Sequence, residues 1–257
     1  MWEVIVEYNL WPTYLFELLA ALAGIFYLWK TRYKATADKF LIYYLVFILM
    51  ADLFILLYST YGYVYKFKYF EFILNTPFES QFWLYNILIL IINSCFIYYF
   101  IILLESKKLK KIFKILIGFY LLSSMIAYVI GDFFLSNDYS FSIGSIFICL
   151  VIATYYFEIL KSDKIFDIYK NLPLYVSIGL LMYNLCLIPL HLFQDYVQNQ
   201  AGNSEFYEVY NMILKISNFF MYSMFTIGFI VQYYWRKKSN DGENLMGAVR
   251  PVPYSRN

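Results

Sequence analysis

Four ionisable side chains of this 257-residue chain, Glu17, Asp52, His191 and Lys215, stand inside long apolar runs. A charge in hydrocarbon is costly, so each such group is a candidate for function. Asparagines share those runs: Asn86 and Asn93 are seven apart and fall on one helical face, Asn211, Lys215 and Asn218 follow at spacings of four and three, and Asn184 lies in a run of its own. Lipid offers amides no partner, so they should point inward, lining a polar pocket among helices or bridging helices as a structural network. Lys215 would pair with Asp52 or Glu17, or snorkel to the headgroups. His191 and Asp195, four apart, read as an acid/base pair or as an interfacial helix end. Glu158, three before Lys161, reads as an exposed i, i+3 partner.

Other chemistries are excluded. With one histidine there is no bis-histidine haem, no HExxH zinc site and no His/carboxylate ligand cluster. GxSxG, Walker and dinucleotide-binding motifs are absent from the sequence. Cys95, Cys149 and Cys186 are an odd count in three different apolar segments and read as small hydrophobes, not a disulfide framework. A net charge of +2 gives no reason to expect nucleic acid.

The elements that position these groups must be membrane spans. The chain is 62% apolar and 15% charged, with a mean hydropathy of +0.58, too little charge to cover a water-soluble surface of this size. Seven segments meet the requirement of about 20 mostly apolar residues: Leu10 to Trp29, Phe40 to Tyr61, Phe82 to Leu104, Ile112 to Phe134, Phe141 to Leu160, Leu172 to Gln194, and Tyr207 to Tyr234. Ala21-Leu22-Ala23 mimics a signal-peptide cleavage site. Glu3 and Glu7 precede the first run where such a peptide would carry Lys or Arg, so it is kept as a span.

Of the 20 Lys and Arg residues, 17 fall after the first, third, fifth and seventh spans, which places the N-terminus outside and the C-terminus in the cytoplasm. At about 1.5 Å per residue, Glu17 is about 10 Å deep, and it, Asp52, His191 and Lys215 share the outer half. The expected fold is all-α: a single up-and-down bundle of seven transmembrane helices over residues 1–238, with a flexible cytoplasmic tail at 239–257. Tyr63 to Gln81 reads as an extended or interfacial loop. Ala20 and Gly24, and Ser145, Cys149 and Ala153, repeat every four residues, the spacing of close helix packing within the molecule or of a homodimer seam. Pro189 should bend the sixth helix. The polar residues place a pocket, open to the outside, among helices one, two, three, six and seven.

Seven helices, an outside N-terminus and Lys215 in the last helix resemble the microbial rhodopsin plan. Asn211 holds the place of that family's acid, and helix three lacks its Arg and Asp, so retinal at Lys215 is not expected, nor any other cofactor. Phe16-Glu17-Leu18 with Lys30, Leu84-Tyr85-Asn86, and Ser217-Asn218 to Thr226-Ile227-Gly228-Phe229 resemble a group of uncharacterised seven-helix membrane proteins of AT-rich bacteria. That resemblance implies topology and a bacterial inner membrane; the Tyr, Phe and Ile enrichment also fits an organellar inner membrane. Two functions follow as expectations. One is a non-enzymatic, receptor- or sensor-like bundle with a polar pocket for a small or lipophilic ligand. The other is an accessory or assembly subunit that meets membrane lipids and other membrane proteins through its transmembrane faces and residues 239–257. A lipid-modifying enzyme using His191 and Asp195 is a third.

Overall fold

A computed structural model describes residues 11–31, 35–135, 138–201 and 204–248. Arg32, Lys34, Arg250 and Arg256 of the charge argument, and the side chain of Asp195, lie outside what it describes. Seven helices account for nearly all of the described chain: α1 (Trp11–Lys30), α2 (Thr36–Tyr65), α3 (Phe82–Leu103), α4 (Lys107–Gly131), α5 (Asp138–Leu160), α6 (Leu172–Ala201) and α7 (Ser204–Ala248). Each contains a stretch long and apolar enough to cross a membrane, so the chain is an all-α, multi-pass membrane protein. Several helices outrun their apolar windows. α4 starts at Lys107 because the Ser106 side chain caps it, accepting from the Leu109 N–H at 3.4 Å. α7 continues past the predicted start of the tail to Ala248.

The interior combines an apolar core with small and polar residues, and the outer faces are apolar. On α1 the buried face is Glu17, Ala20, Ala21, Gly24 and Tyr27, while Leu15, Leu18, Leu22, Ile25 and Trp29 are exposed. That is helical periodicity with lipid in the place of water.

Packing defines a ring. α1 lies between α2 and α7, α2 meets α3, α3 packs on α5, α5 on α6, and α6 on α7; α4 stands outside against α3 and α5. The α6–α7 seam is tight because its glycines face the partner helix: a Cβ on Gly179 would sit 3.0 Å from the Met221 carbonyl, and one on Gly228 2.8 Å from Leu172 and Tyr175. Ala20 and Gly24 likewise serve packing within the molecule, Gly24 meeting Ile42 and Phe229. The expected stripe on α5 is buried only at one end: Ser145 is fully buried, Cys149 partly so and Ala153 exposed. The close approach there is at Gly144 instead, where a Cβ would come within 2.1 Å of the Asn93 amide nitrogen.

Tyrosine hydroxyls stitch the helices. Tyr44 donates to the Ile92 carbonyl at 3.0 Å, joining α2 to α3, and Tyr128 to the Asn86 carbonyl at 3.0 Å, joining α4 to α3. The segment after α2 is folded, not extended. Lys66 and Phe67 take left-handed backbone, Phe67 turns back over Gly62, and two single-turn helices, Glu71–Ile73 and Pro77–Glu79, complete an aromatic layer with Tyr61, Phe70, Phe78 and Trp83.

The end bearing Lys30, the Lys107–Lys111 run, Lys161, Lys164, Lys170 and Arg236 to Lys238 is here called the basic end. It is fastened by Asp38, only 3% exposed. One of its oxygens accepts from the Tyr27 hydroxyl at 2.9 Å, the Gln232 amide at 2.7 Å and Arg236 at 3.1 Å. Gln232 in turn accepts from the Leu172 N–H at 2.8 Å, so α1, α2, α6 and α7 meet at this point.

Two predictions follow from this packing. Gly144→Ala should lower the melting temperature in detergent by several degrees, the cost of overpacking being about 1–3 kcal/mol. Gly118→Ala, where an added Cβ meets nothing within 4 Å, should be neutral or stabilising by up to about 1 kcal/mol; equal melting of the two variants would contradict the packing at Gly144. Asp38→Ala should cost about 2–4 kcal/mol, a buried pair discounted for the partial exposure of Arg236; chemical denaturation that finds under 0.5 kcal/mol would reject the fastening role.

Candidate functional site

A cavity of about 300 Å³ lies inside the ring of α1, α2, α3, α5, α6 and α7. It runs from the end opposite the basic end, where Thr13, Phe141, His191 and Tyr210 stand, to mid-bundle at Ile48, Phe96 and Leu180. The helices of its wall are those expected, with α5 added.

Five of the nine predicted residues line it: Asp52, Asn93, Asn184, His191 and Asn218. Glu17 is one turn from the lining residue Thr13 on the same face of α1 and is 1% exposed. Asn86 belongs to a different structure: its amide donates to the carbonyls of Phe133 at 2.8 Å and Leu135 at 2.9 Å, closing the α4–α5 turn onto α3. Asn211 is exposed and Lys215 half-buried, and neither lines the cavity. A seven-residue spacing thus placed Asn93 in the cavity and Asn86 outside it, because the turn after α4 occupies the space that Asn86 faces.

The Lys215 ion pair with Asp52 or Glu17 does not form. Among the described residues the ion pairs are Arg236–Asp38, His191–Asp138, Lys164–Glu105 and Lys170–Asp167. Both carboxyl oxygens of Glu17 are buried with no hydrogen-bond partner. Glu17 is nevertheless close enough to Asp52 for their charges to interact, and both act on Tyr44 and Tyr222. The two acids therefore share one interior region lined with tyrosine.

Two of the three cavity amides bond to protein through their N–H groups. Asn93 donates to the Tyr120 hydroxyl at 3.2 Å and the Ser140 carbonyl at 3.4 Å, and Tyr120 donates to the same carbonyl at 3.1 Å. Asn184 donates to the Leu180 carbonyl at 2.7 Å. Their side-chain carbonyl oxygens remain as acceptors.

His191 has a carboxylate partner on another helix. Its Nδ1 lies 2.8 Å from Asp138 Oδ1 on α5, its Nε2 3.3 Å from the Tyr210 hydroxyl on α7, and its ring 4.1 Å from that of Phe141. With Asp138 ionised, Nδ1 carries the proton and Nε2 accepts from Tyr210. Both nitrogens are engaged, an arrangement that orients the ring and ties α6 to α5 and α7.

Asp138, Tyr120, Tyr183, Tyr210 and Thr13 belong to the site or its supports and were not read from the sequence. Asp138 sits at the edge of an apolar run, where an acid looks like an ordinary helix start, and tyrosines are too numerous here for any one to stand out. Glu158, read as an exposed partner of Lys161, instead accepts from the Glu105 N–H at 2.7 Å and the Ser106 N–H at 3.0 Å, bracing the α3–α4 connection. Comparison with protein-family models, curated proteins and solved structures found no match.

If the His191–Asp138 bond holds α5 to α6, His191→Ala and Asp138→Ala should each cost about 1–3 kcal/mol. The double variant should cost no more than the larger single one by about 0.5 kcal/mol. Strict additivity in a double-mutant cycle would show that the two side chains act separately.

Proposed function

We propose that this protein is a non-enzymatic, receptor- or sensor-like membrane bundle that takes a small ligand into its central cavity from the end opposite the basic loops. The observation carrying this reading is the cavity itself, which brings an acid, three amides and several aromatic rings from six helices together within the membrane-spanning part. Ligand sites are concave, mostly apolar and fixed by a few convergent polar groups, typically from about 300 Å³ upward. This cavity has that character and stands at the lower end of that size, enough for a small molecule and too little for a lipid chain pair.

The excess of Lys and Arg at one end supports a cytoplasmic placement of that end, with the cavity opening to the outside of a bacterial inner membrane. An organellar inner membrane is the alternative. A second function, an accessory subunit of a larger membrane complex, draws support from the continuation of α7 beyond the span to Ala248.

Native mass spectrometry of the gently extracted protein tests the first reading. A small molecule should stay bound to the wild type and be lost, by about tenfold or more in occupancy, from Ile89→Trp, which fills the cavity from α3. A ligand-free wild type that instead carries stoichiometric protein partners would favour the subunit.

A further inference from the structure

We infer that the ligand of the central cavity is a small organic cation, an ammonium group on an apolar or aromatic body; this rests on the receptor reading above and names its ligand class. Two acids act on one interior region, Asp52 in the cavity wall and Glu17 behind Thr13, and no described cation forms an ion pair with either. Glu17 is 1% exposed, and both of its oxygens lack a hydrogen bond. A buried carboxyl without a partner is held neutral or is charged against a cation, and an incoming positive charge would favour the charged form of both acids together.

The rest of the wall has the same polarity. Asn93 commits its N–H groups to Tyr120 and Ser140, Asn184 commits one N–H to Leu180, and the His191 ring nitrogens are taken by Asp138 and Tyr210. The side-chain Oδ1 of each cavity amide is an acceptor. A primary ammonium, with three donors and no acceptor, complements these oxygens and the two acids together, whereas a carboxylate or phosphate would face both acids with only the remaining amide N–H groups of Asn184 and Asn218 to receive it. The tyrosine and phenylalanine rings complete the fit: Tyr85, Tyr183, Tyr222, Phe96 and Phe141 line the cavity, and aromatic faces attract cations while their edges pack an apolar body.

The volume restricts the ligand further. At about 30 Å³ per water, 300 Å³ holds about ten water molecules. That suits one aromatic ring with a short amine arm and is too small for a peptide.

The test uses the full chain in lipid nanodiscs at pH 7, with three probes of one shape and different charge: phenethylammonium, neutral propylbenzene and anionic 3-phenylpropanoate. Calorimetry should show phenethylammonium binding at least about tenfold more tightly than propylbenzene, about 1.4 kcal/mol, and 3-phenylpropanoate not binding. Asp52→Asn and Glu17→Gln should each remove that preference, so that phenethylammonium binds no more tightly than propylbenzene does. Equal binding of amine and hydrocarbon would overturn the cation and leave the pocket standing, as expected if the two acids share a proton. Failure of all three to bind the folded wild type at millimolar concentration would overturn both readings. A preference that survives Asp52→Asn would overturn the assignment to this cavity. If Glu17→Gln fails to fold, the wild-type order of the three probes decides.

Discussion

A side-chain amide or carboxylate surrounded by hydrocarbon has no water to bond to, and the arrangement of this bundle follows from that constraint. Asp38 collects a hydroxyl, an amide and a guanidinium from α1 and α7. Asn86 fastens a turn, Asn93 bonds across α4 and α5, and His191 spans α5 and α7. Each polar group is answered by another helix, so these bonds fix which helices are neighbours. The apolar side chains do not discriminate in the same way, since lipid is as good a partner for leucine as another leucine is.

Against that background Glu17 stands apart. The bundle satisfies Asp38, which is buried to a similar degree, with three donors and leaves Glu17 with none. The contrast between the two acids, one at the basic end and closed, one beside a cavity and open, separates the part of the molecule that is complete from the part that is arranged to receive something.

Span number, the apolar stretch of each helix and the inward direction of most polar groups were legible in the sequence, because hydropathy and the 3.6-residue period report directly on lipid exposure; the ends of the last two helices, which run 7 and 14 residues past the expected Gln194 and Tyr234 to Ala201 and Ala248, were not. Pairing was not. Lys215 reads from the sequence as a partner of Asp52 or Glu17 through ring closure, or as snorkelling; α1 does close the ring between α2 and α7, yet Lys215 forms no ion pair with either acid and does not line the cavity. His191 was matched with the carboxylate four residues along its own helix, while its partner Asp138 lies 53 positions away on α5. Gly144 gave no signal, since its role is defined by Asn93 on another helix. Periodicity tells which way a residue points; it carries nothing about what waits there.

The position of α4 has a consequence for how the molecule comes together. The chain leaves the ring after α3 and returns with α5, so the ring can close without its fourth span, which then attaches from the lipid side through Tyr120 and Tyr128. Those two hydroxyls reach the cavity-lining Asn93 and its neighbour Asn86 from behind. The fourth helix is therefore placed as a splint: it takes no part in closing the ring, and it braces the chamber wall from the lipid side.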